Sequence, residues 1–305
     1  MITVEVHDLT IQFGNFTAVD NISFDVSSGE IFGFLGANGA GKTTTIRVLC
    51  GLLKPTKGKV SVAGNNVNGG QFAIKTKVGY MSQKFTLYND LTVKENLDFI
   101  AALRKLDQNQ YLQRRKELFD FIEFDRSINT IVRDLPSGIK HQISLAAALL
   151  HDPEIIFLDE PTAGVSPLSR ARFWDLIKKL SKTGKTVFVT THFLDEAEQC
   201  DRIALMRQGK IAALDTPANL KAKTFLTPMF EFDPKKTMSF AEISALKQNA
   251  IFSFFEPYGR RFHAAFIDKS DWRQQLANFK EKFNVTEIAP SLEDVFIKTI
   301  EAKQQ

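Results

Sequence analysis

The sequence predicts an α/β fold, a parallel sheet with helices, followed by a smaller C-terminal α+β unit. Three observations carry this. The apolar run Ile31-Phe32-Gly33-Phe34-Leu35 leads into Gly36-Ala37-Asn38-Gly39-Ala40-Gly41-Lys42-Thr43-Thr44 and then into the helical segment Thr45 to Cys50. That is the strand, glycine loop and helix order of a phosphate-binding loop. Two further apolar runs, Ile155 to Leu158 and Thr186 to Thr191, end in Asp159-Glu160 and in His192. Parallel strands buried on both faces read as such runs, and their C-terminal ends open on the crevice where ligands bind. Near residue 222 the composition shifts: phenylalanine becomes frequent and the glycine loops cease.

The 305 residues, 44% hydrophobic and 24% charged, allow a globular chain of two domains. A net charge of +4 carried by scattered lysines and arginines gives no basic stripe, so nucleic acid is not an expected partner. Cys50 and Cys200 are too few for a disulfide framework and too far apart for a metal knuckle. Both read as small buried side chains of a reducing compartment. Met1 to Val6 alternates like a strand and lacks the regions of a signal peptide. No apolar run approaches the roughly 18 residues that span a bilayer, so any membrane part is expected from another chain.

In chain order, residues 1 to about 34 read as strands, with Val4, Val6 and Leu9, then Phe24 and Val26, alternating. Phe13-Gly14 lies ahead of the glycine loop, and Phe13 is either ordinary core or a ring for stacking on an adenine. After the first helix, Val60 and Val62 begin a strand pair with Asn65-Asn66 at the expected tip, and Val78 to Ser82 is a strand ending at Gln83. From about 85 to 150 the chain turns helical. Thr92-Val93-Lys94-Glu95 has capping-box spacing, and a charged helix follows over about 108–124. Leu135-Pro136-Ser137-Gly138-Ile139 feeds the helix Ile143 to Leu150, with Ser137 as the expected N-cap. Helices are expected at Arg170 to Leu180 and Leu194 to Cys200, and a hairpin turns at Arg207 to Lys210. The C-terminal part reads as strand (227–232), helix (238–248), strand (251–256), strand (260–267), helix (271–282) and strand (284–289). That βαββαβ order is the ferredoxin-like split unit. Ser291-Leu292-Glu293-Asp294 then caps a last helix.

The polar residues at the strand ends suggest a division of labour. The glycines let backbone N–H groups wrap a triphosphate, and the helix N-terminus adds partial positive charge. Lys42 reaches the β- and γ-phosphates, the Thr43 hydroxyl is a Mg²⁺ ligand, and Thr44 can hydrogen-bond an inner phosphate. Gln83 can place its amide oxygen on Mg²⁺ or on an attacking water. Asp159 is positioned to hold Mg²⁺ directly or through water. Glu160 can act as general base or polarise the attacking water, and His192 can bond a γ-phosphate oxygen.

Taken together, residues 1 to about 220 resemble the ATPase subunit of ATP-binding-cassette (ABC) transporters. The phosphate loop matches Gly36 to Thr44 (Gly36, Asn38, Gly39, Ala40, Gly41, Lys42, Thr43 and Thr44), the glutamine loop Gln83, the Mg²⁺ aspartate Asp159, the catalytic glutamate Glu160 and the switch histidine His192. Phe13 falls on the adenine-stacking position. The ending Pro290-Ser291-Leu292-Glu293-Asp294-Val295-Phe296 is similar to the tail of the type-2 exporter branch, in which one gene encodes the ATPase and another the permease. The resemblance implies a P-loop NTPase cassette over 1–221: a RecA-like core, an antiparallel β subdomain and a helical subdomain at about 85–150. The accessory α+β domain takes 222–305. It further implies ATP and Mg²⁺ as cofactors and ATP hydrolysis as the activity. Two cassettes, alike or different, would close head to tail around two ATP, Ser137 and Gly138 of one completing the site of the other. The chain would lie on the inner face of the cell membrane through a separate permease. Two departures stand out. Pro136 occupies the usual serine of the Leu-Ser-Gly-Gly-Gln signature, and Ser166 occupies the usual aspartate of the loop after Glu160. They are read as tuning. A soluble non-transport cassette and a regulatory ATP-binding module are the alternative readings.

Overall fold

The computed structural model describes residues 1–83, 87–267 and 272–301. The start of the expected helical subdomain at 85, the first residue of the expected helix at 271, and residues 302–305 lie outside the described residues. The chain divides into two compact units between Leu214 and Asp215.

The first unit runs β1 (Ile2–Phe13), β2 (Phe16–Ser27), β3 (Ile31–Leu35), α1 (Lys42–Leu49), β4 (Lys57–Val62), β5 (Asn65–Asn66), α2 (Gln71–Lys77) and β6 (Val78–Met81). It continues with α3 (Val93–Leu103), α4 (Gln108–Phe121), a single 3-10 turn (Val132–Asp134), α5 (Ser137–Leu149), β7 (Ile155–Asp159), α6 (Pro167–Lys182), β8 (Thr186–Thr191), α7 (Leu194–Ala197), β9 (Arg202–Arg207) and β10 (Lys210–Asp215).

In β1, Val4, Val6, Leu9 and Ile11 are buried between exposed neighbours, the period of two that a half-covered strand requires. β1 pairs antiparallel with β2 and β4 in a four-stranded sheet of order β2-β1-β4-β5. The turn between β4 and β5 is Ala63-Gly64, both at positive φ. Asn65 and Asn66 pair with Val62 and Ser61 instead of forming the tip. A second sheet has the order β10-β9-β3-β8-β7-β6, in which β9, β3, β8, β7 and β6 are parallel. All five residues of β3 and of β7 are buried, as strands covered on both faces must be. The core between the sheets is aromatic. Phe188 of β8 lies 4.9–6.2 Å, centroid to centroid, from Phe24, Phe32, Phe34 and Phe157. This packing fixes the C-terminal ends of β3, β7 and β8 side by side.

The helical segment follows its sequence signals. Thr92 and Glu95 form the full capping box of α3, each side chain bonding the other's backbone N–H. The N-cap of α5 is Pro136, at φ −56° and ψ 147°, and Ser137 is already the first helical residue. An N-cap needs non-helical backbone angles to turn its side chain onto the first-turn amides, so Ser137 does not cap this helix. No side chain does.

The second unit contains α8 (Pro217–Thr224), β11 (Met229–Pro234), α9 (Phe240–Lys247), β12 (Phe252–Tyr258), β13 (Arg261–Phe266), α10 (Trp272–Phe279), β14 (Phe283–Ile288) and α11 (Leu292–Glu301). The expected boundary at 221/222 falls inside α8. That helix packs on α11, where Lys298 Nζ donates to Thr224 O at 3.0 Å and lies over the Phe225 ring. The antiparallel sheet has the order β12-β13-β11-β14, the ferredoxin-like arrangement. Phe230, Phe232, Phe252, Phe255, Phe262, Phe266 and Phe283 form its core. The Pro290 to Phe296 segment is a staple. Ser291 N donates to Asp294 Oδ2 at 2.8 Å and Asp294 N donates back to Ser291 Oγ at 3.2 Å. Asp294 Oδ1 lies 2.8 Å from His263 Nδ1 on β13, both residues buried. Replacing Asp294 with Ala leaves His263 buried without its partner, and the second unit is expected to lose about 1–3 kcal/mol. Urea unfolding followed through tryptophan fluorescence, with Trp174 in the first unit and Trp272 in the second, measures this.

Candidate functional site

The loop between β3 and α1 passes so close to its neighbours at Gly36 and Gly41 that side chains are excluded there. A Cβ on Gly41 would meet Ala18 O at 2.7 Å, and one on Gly36 would run into Met206 O. Gly41 also sits at φ +106°, left-handed backbone that favours glycine, and offers no side-chain cap. The first-turn amides of α1 are therefore presented to whatever anion occupies the loop. Lys42 is buried, its Nζ donating to Gly36 O at 2.7 Å and Ala37 O at 3.3 Å, with Glu160 Oε1 at 3.5 Å. Burial pushes its ammonium pKa down from the ordinary lysine value, and Glu160 opposes that shift.

β7 delivers the two carboxylates. Asp159, 1% exposed, accepts through Oδ1 from Thr190 Oγ1 at 2.6 Å and from Thr43 Oγ1 at 3.0 Å. Burial raises its pKa from the ordinary aspartate value, against the pull of those two hydroxyls. Its second oxygen, Oδ2, is buried with no hydrogen-bond partner among the described residues. Glu160 follows at φ +49°, strained backbone for a residue with a side chain. It is held there by its own N–H, which donates to Thr190 O at 3.1 Å and to Thr190 Oγ1 at 3.0 Å. Gln83 Nε2 donates to Glu160 Oε2 at 2.9 Å, and His192 Nδ1 lies 3.4 Å from the same oxygen. Three nitrogen groups from three segments thus converge on one carboxylate.

Around these groups lies a cavity of about 400 Å³ lined by Phe16, Ala18, Asn38, Gly39, Gly41, Lys42, Thr43, Thr44, Gln83 and Glu160. Gly36 and Ala40 shape the loop behind it, and Asp159 and His192 reach it through Thr43 and Glu160. The donor set suits a Mg²⁺ ion. An orphaned buried carboxylate oxygen, a threonine hydroxyl and a nearby amide are hard oxygen ligands, and a dication would relieve the burial cost of Asp159. Ser137 and Gly138 are not among the lining residues. They stand at the uncapped start of α5.

The sequence reading missed Phe16 and Thr190. Phe16 is 64% exposed and lines the cavity, whereas Phe13, 51% exposed, does not. The two rings are cross-strand partners either side of a two-residue turn, so they share one face of the hairpin. The signal was the spacing Phe-Gly-Asn-Phe. Thr190 gave no signal beyond lying two residues before His192.

These features define a nucleotide-binding cassette, and comparison with known proteins gives its family. The sequence profile described as ABC transporter matches residues 19–163. The probable multidrug ABC transporter ATP-binding protein YbhF of Escherichia coli (strain K12) is 47% identical over 225 residues, 72% of this chain and 38% of that protein. The Nod factor export ATP-binding protein I of Rhizobium leguminosarum bv. viciae is 31% identical over 301 residues, 97% of this chain and 94% of that protein. The chain thus spans 32–38% of the length of the first three curated relatives it matches. Among solved structures, the ATP-binding cassette MJ0796 in a dimeric post-hydrolysis state bound to ADP and Pi superposes with a TM-score of 0.63 at 26% identity, covering 70% of this chain and 98% of that one. An ATP-binding subunit of an ABC transporter superposes with a TM-score of 0.65 at 26% identity, over 72% and 92%. This chain belongs to the ABC transporter family, as an ATP-binding cassette.

Removing both Phe13 and Phe16 is expected to weaken ATP binding by the worth of one stacked base, about 1–3 kcal/mol or roughly 5- to 150-fold. Inorganic triphosphate should bind as before, and Phe16→Ala should carry the larger share. Titration with a fluorescent ATP analogue, competed by triphosphate, reads both quantities.

Proposed function

We propose that this chain binds and hydrolyses ATP as the motor subunit of an exporter whose membrane permease is a separate protein. The observation that carries the reading is the convergence of Lys42, Gln83 and His192 on Glu160 beside a buried Asp159 with one unpartnered oxygen.

The proposed roles are these. The amides between Gly36 and Thr44, with Lys42, bind the phosphates, and Thr44 bonds an inner one. Thr43, Asp159 and Gln83 are the residues to hold Mg²⁺, which when bound neutralises developing phosphate charge. Glu160 takes a proton from the attacking water, its carboxylate oriented by Gln83 and His192. His192 also contacts the γ-phosphate and reports its presence. Phe13 and Phe16 cover the adenine.

Ser137 and Gly138 complete the site of a second cassette, the same chain or a different one. The uncapped α5 N-terminus supports this, since its orphan amides suit a phosphate arriving from outside. The solved dimer of MJ0796 supports pairing as well. Pro136 brings neither hydroxyl nor N–H to that contact. Ser166 caps α6, its Oγ accepting from Ser169 N at 3.3 Å. What it lacks is the charge of the usual aspartate.

Export is supported by relatives named for multidrug transport, Nod factor export and daunorubicin resistance. Among the described residues no helix is long and apolar enough to cross a membrane. The proposed location is therefore the inner face of the cell membrane, through the permease. Mild-detergent purification of the tagged chain from native membranes tests the reading. A polytopic membrane protein in near-equal amount is the expected companion. Ribosomal proteins, or no companion at all, would contradict the exporter assignment.

A further inference from the structure

We propose that Glu196 is a positioning residue for the reaction: it locks the segment carrying His192 and the loop behind Glu160 into one geometry, with Thr162, Thr191 and Arg170 as its partners. The inference rests on the ATPase reading above and deepens it.

Glu196 lies on the four-residue helix α7 and is 0% exposed. Taking a carboxylate out of water is costly unless each oxygen finds partners, and an apolar residue would pack α7 without that cost. Each of its oxygens binds a different part of the site. Oε1 accepts from Thr162 Oγ1, two residues past Glu160. Oε2 accepts from Thr191 Oγ1 at 2.6 Å, the residue immediately before His192, and that same hydroxyl oxygen accepts from Phe193 N at 2.9 Å. Arg170 Nε lies 3.4 Å from Oε1, an ion pair without hydrogen-bond alignment. The Arg170 guanidinium covers the Phe193 ring at 3.9 Å, and that ring packs against the His192 imidazole with centroids 4.1 Å apart.

The histidine is thus braced from both sides of its backbone. Shifting His192 relative to Glu160 requires breaking the Thr191 bond or tilting Phe193 away from Arg170. The brace also reaches the segment proposed to serve a second cassette. Arg170 N bonds Ser166 O at the start of α6, and the neighbouring Ser169 is packed so tightly that a Cβ on Gly138 would come within 2.6 Å of its hydroxyl. The expectation is a defect in turnover and little defect in ATP binding, because Lys42 and the glycine loop are untouched.

Thr162→Val removes the hydroxyl and keeps the shape, and Thr162→Ser restores the hydroxyl. In the full chain, assayed with its permease, Thr162→Val should lower kcat about tenfold or more with KM for ATP within about twofold, and Thr162→Ser should return it towards wild type. Glu196→Gln, which can no longer accept two hydroxyl bonds and face Arg170 as an ion, should behave as Thr162→Val does. A second readout needs no activity: the His192 imidazole ¹⁵N resonances, assigned with His192→Gln, should shift in Thr162→Val and return in Thr162→Ser. Unchanged kcat together with unchanged His192 resonances would overturn the proposal, as would a kcat loss that serine does not rescue. A wild-type chain with no turnover would sink the ATPase reading instead, while the resonance comparison still decides the brace.

Discussion

The arrangement depends on burying two adjacent carboxylates at the end of one strand. Asp159 ends a strand whose other residues, Ile155 to Leu158, are wholly apolar, Glu160 follows it, and both carboxylates are buried. Every polar group around them answers that constraint. Thr43 and Thr190 bond one oxygen of Asp159; Lys42, Gln83 and His192 approach Glu160; Thr190 fixes the strained backbone between them. Like charges side by side in low dielectric are tolerable only when each has its own cation or donors. The other oxygen of Asp159 is buried with no hydrogen-bond partner among the described residues.

Much of this was legible in the chain because it is local. A glycine loop between strand and helix, and an acidic pair or a histidine after an apolar run, are contiguous signals whose spacing carries the geometry. The βαββαβ order of the second unit was legible for the same reason: short phenylalanine-rich runs there are separated by local turns. What stayed hidden depends on cross-chain approach. Thr190 touches Asp159 from a strand 31 positions later, and Glu196 gathers residues from α6, β8 and the loop after β7. Phe13 was named and Phe16 overlooked, although a two-residue turn puts both rings on one face. Ser137 was misjudged as a cap because serine is a good capping residue, yet the proline before it already has the extended backbone angles and takes that place.

The departures from the family pattern gain a physical reading. Pro136 starts α5 cleanly, because a proline at an N-cap gives up no helix hydrogen bond, but it leaves the first-turn amides as the groups at that surface. Ser166 supplies the side-chain cap of α6 and carries no negative charge at that place. The C-terminal unit is held by a phenylalanine core and the His263–Asp294 pair. Its terminal motif therefore reads as structural stapling within that unit.

The central claim is that Glu160, in its strained place beside Asp159, is the base for ATP hydrolysis. Measuring phosphate release and ATP binding side by side for the wild-type chain and Glu160→Gln tests it most directly. The account predicts ATP binding within a few-fold of wild type and a turnover loss of about 10²–10⁴, equivalent to roughly 3–5 kcal/mol of barrier. Wild-type turnover in Glu160→Gln would remove Glu160 from the reaction and leave the buried pair with a structural role only.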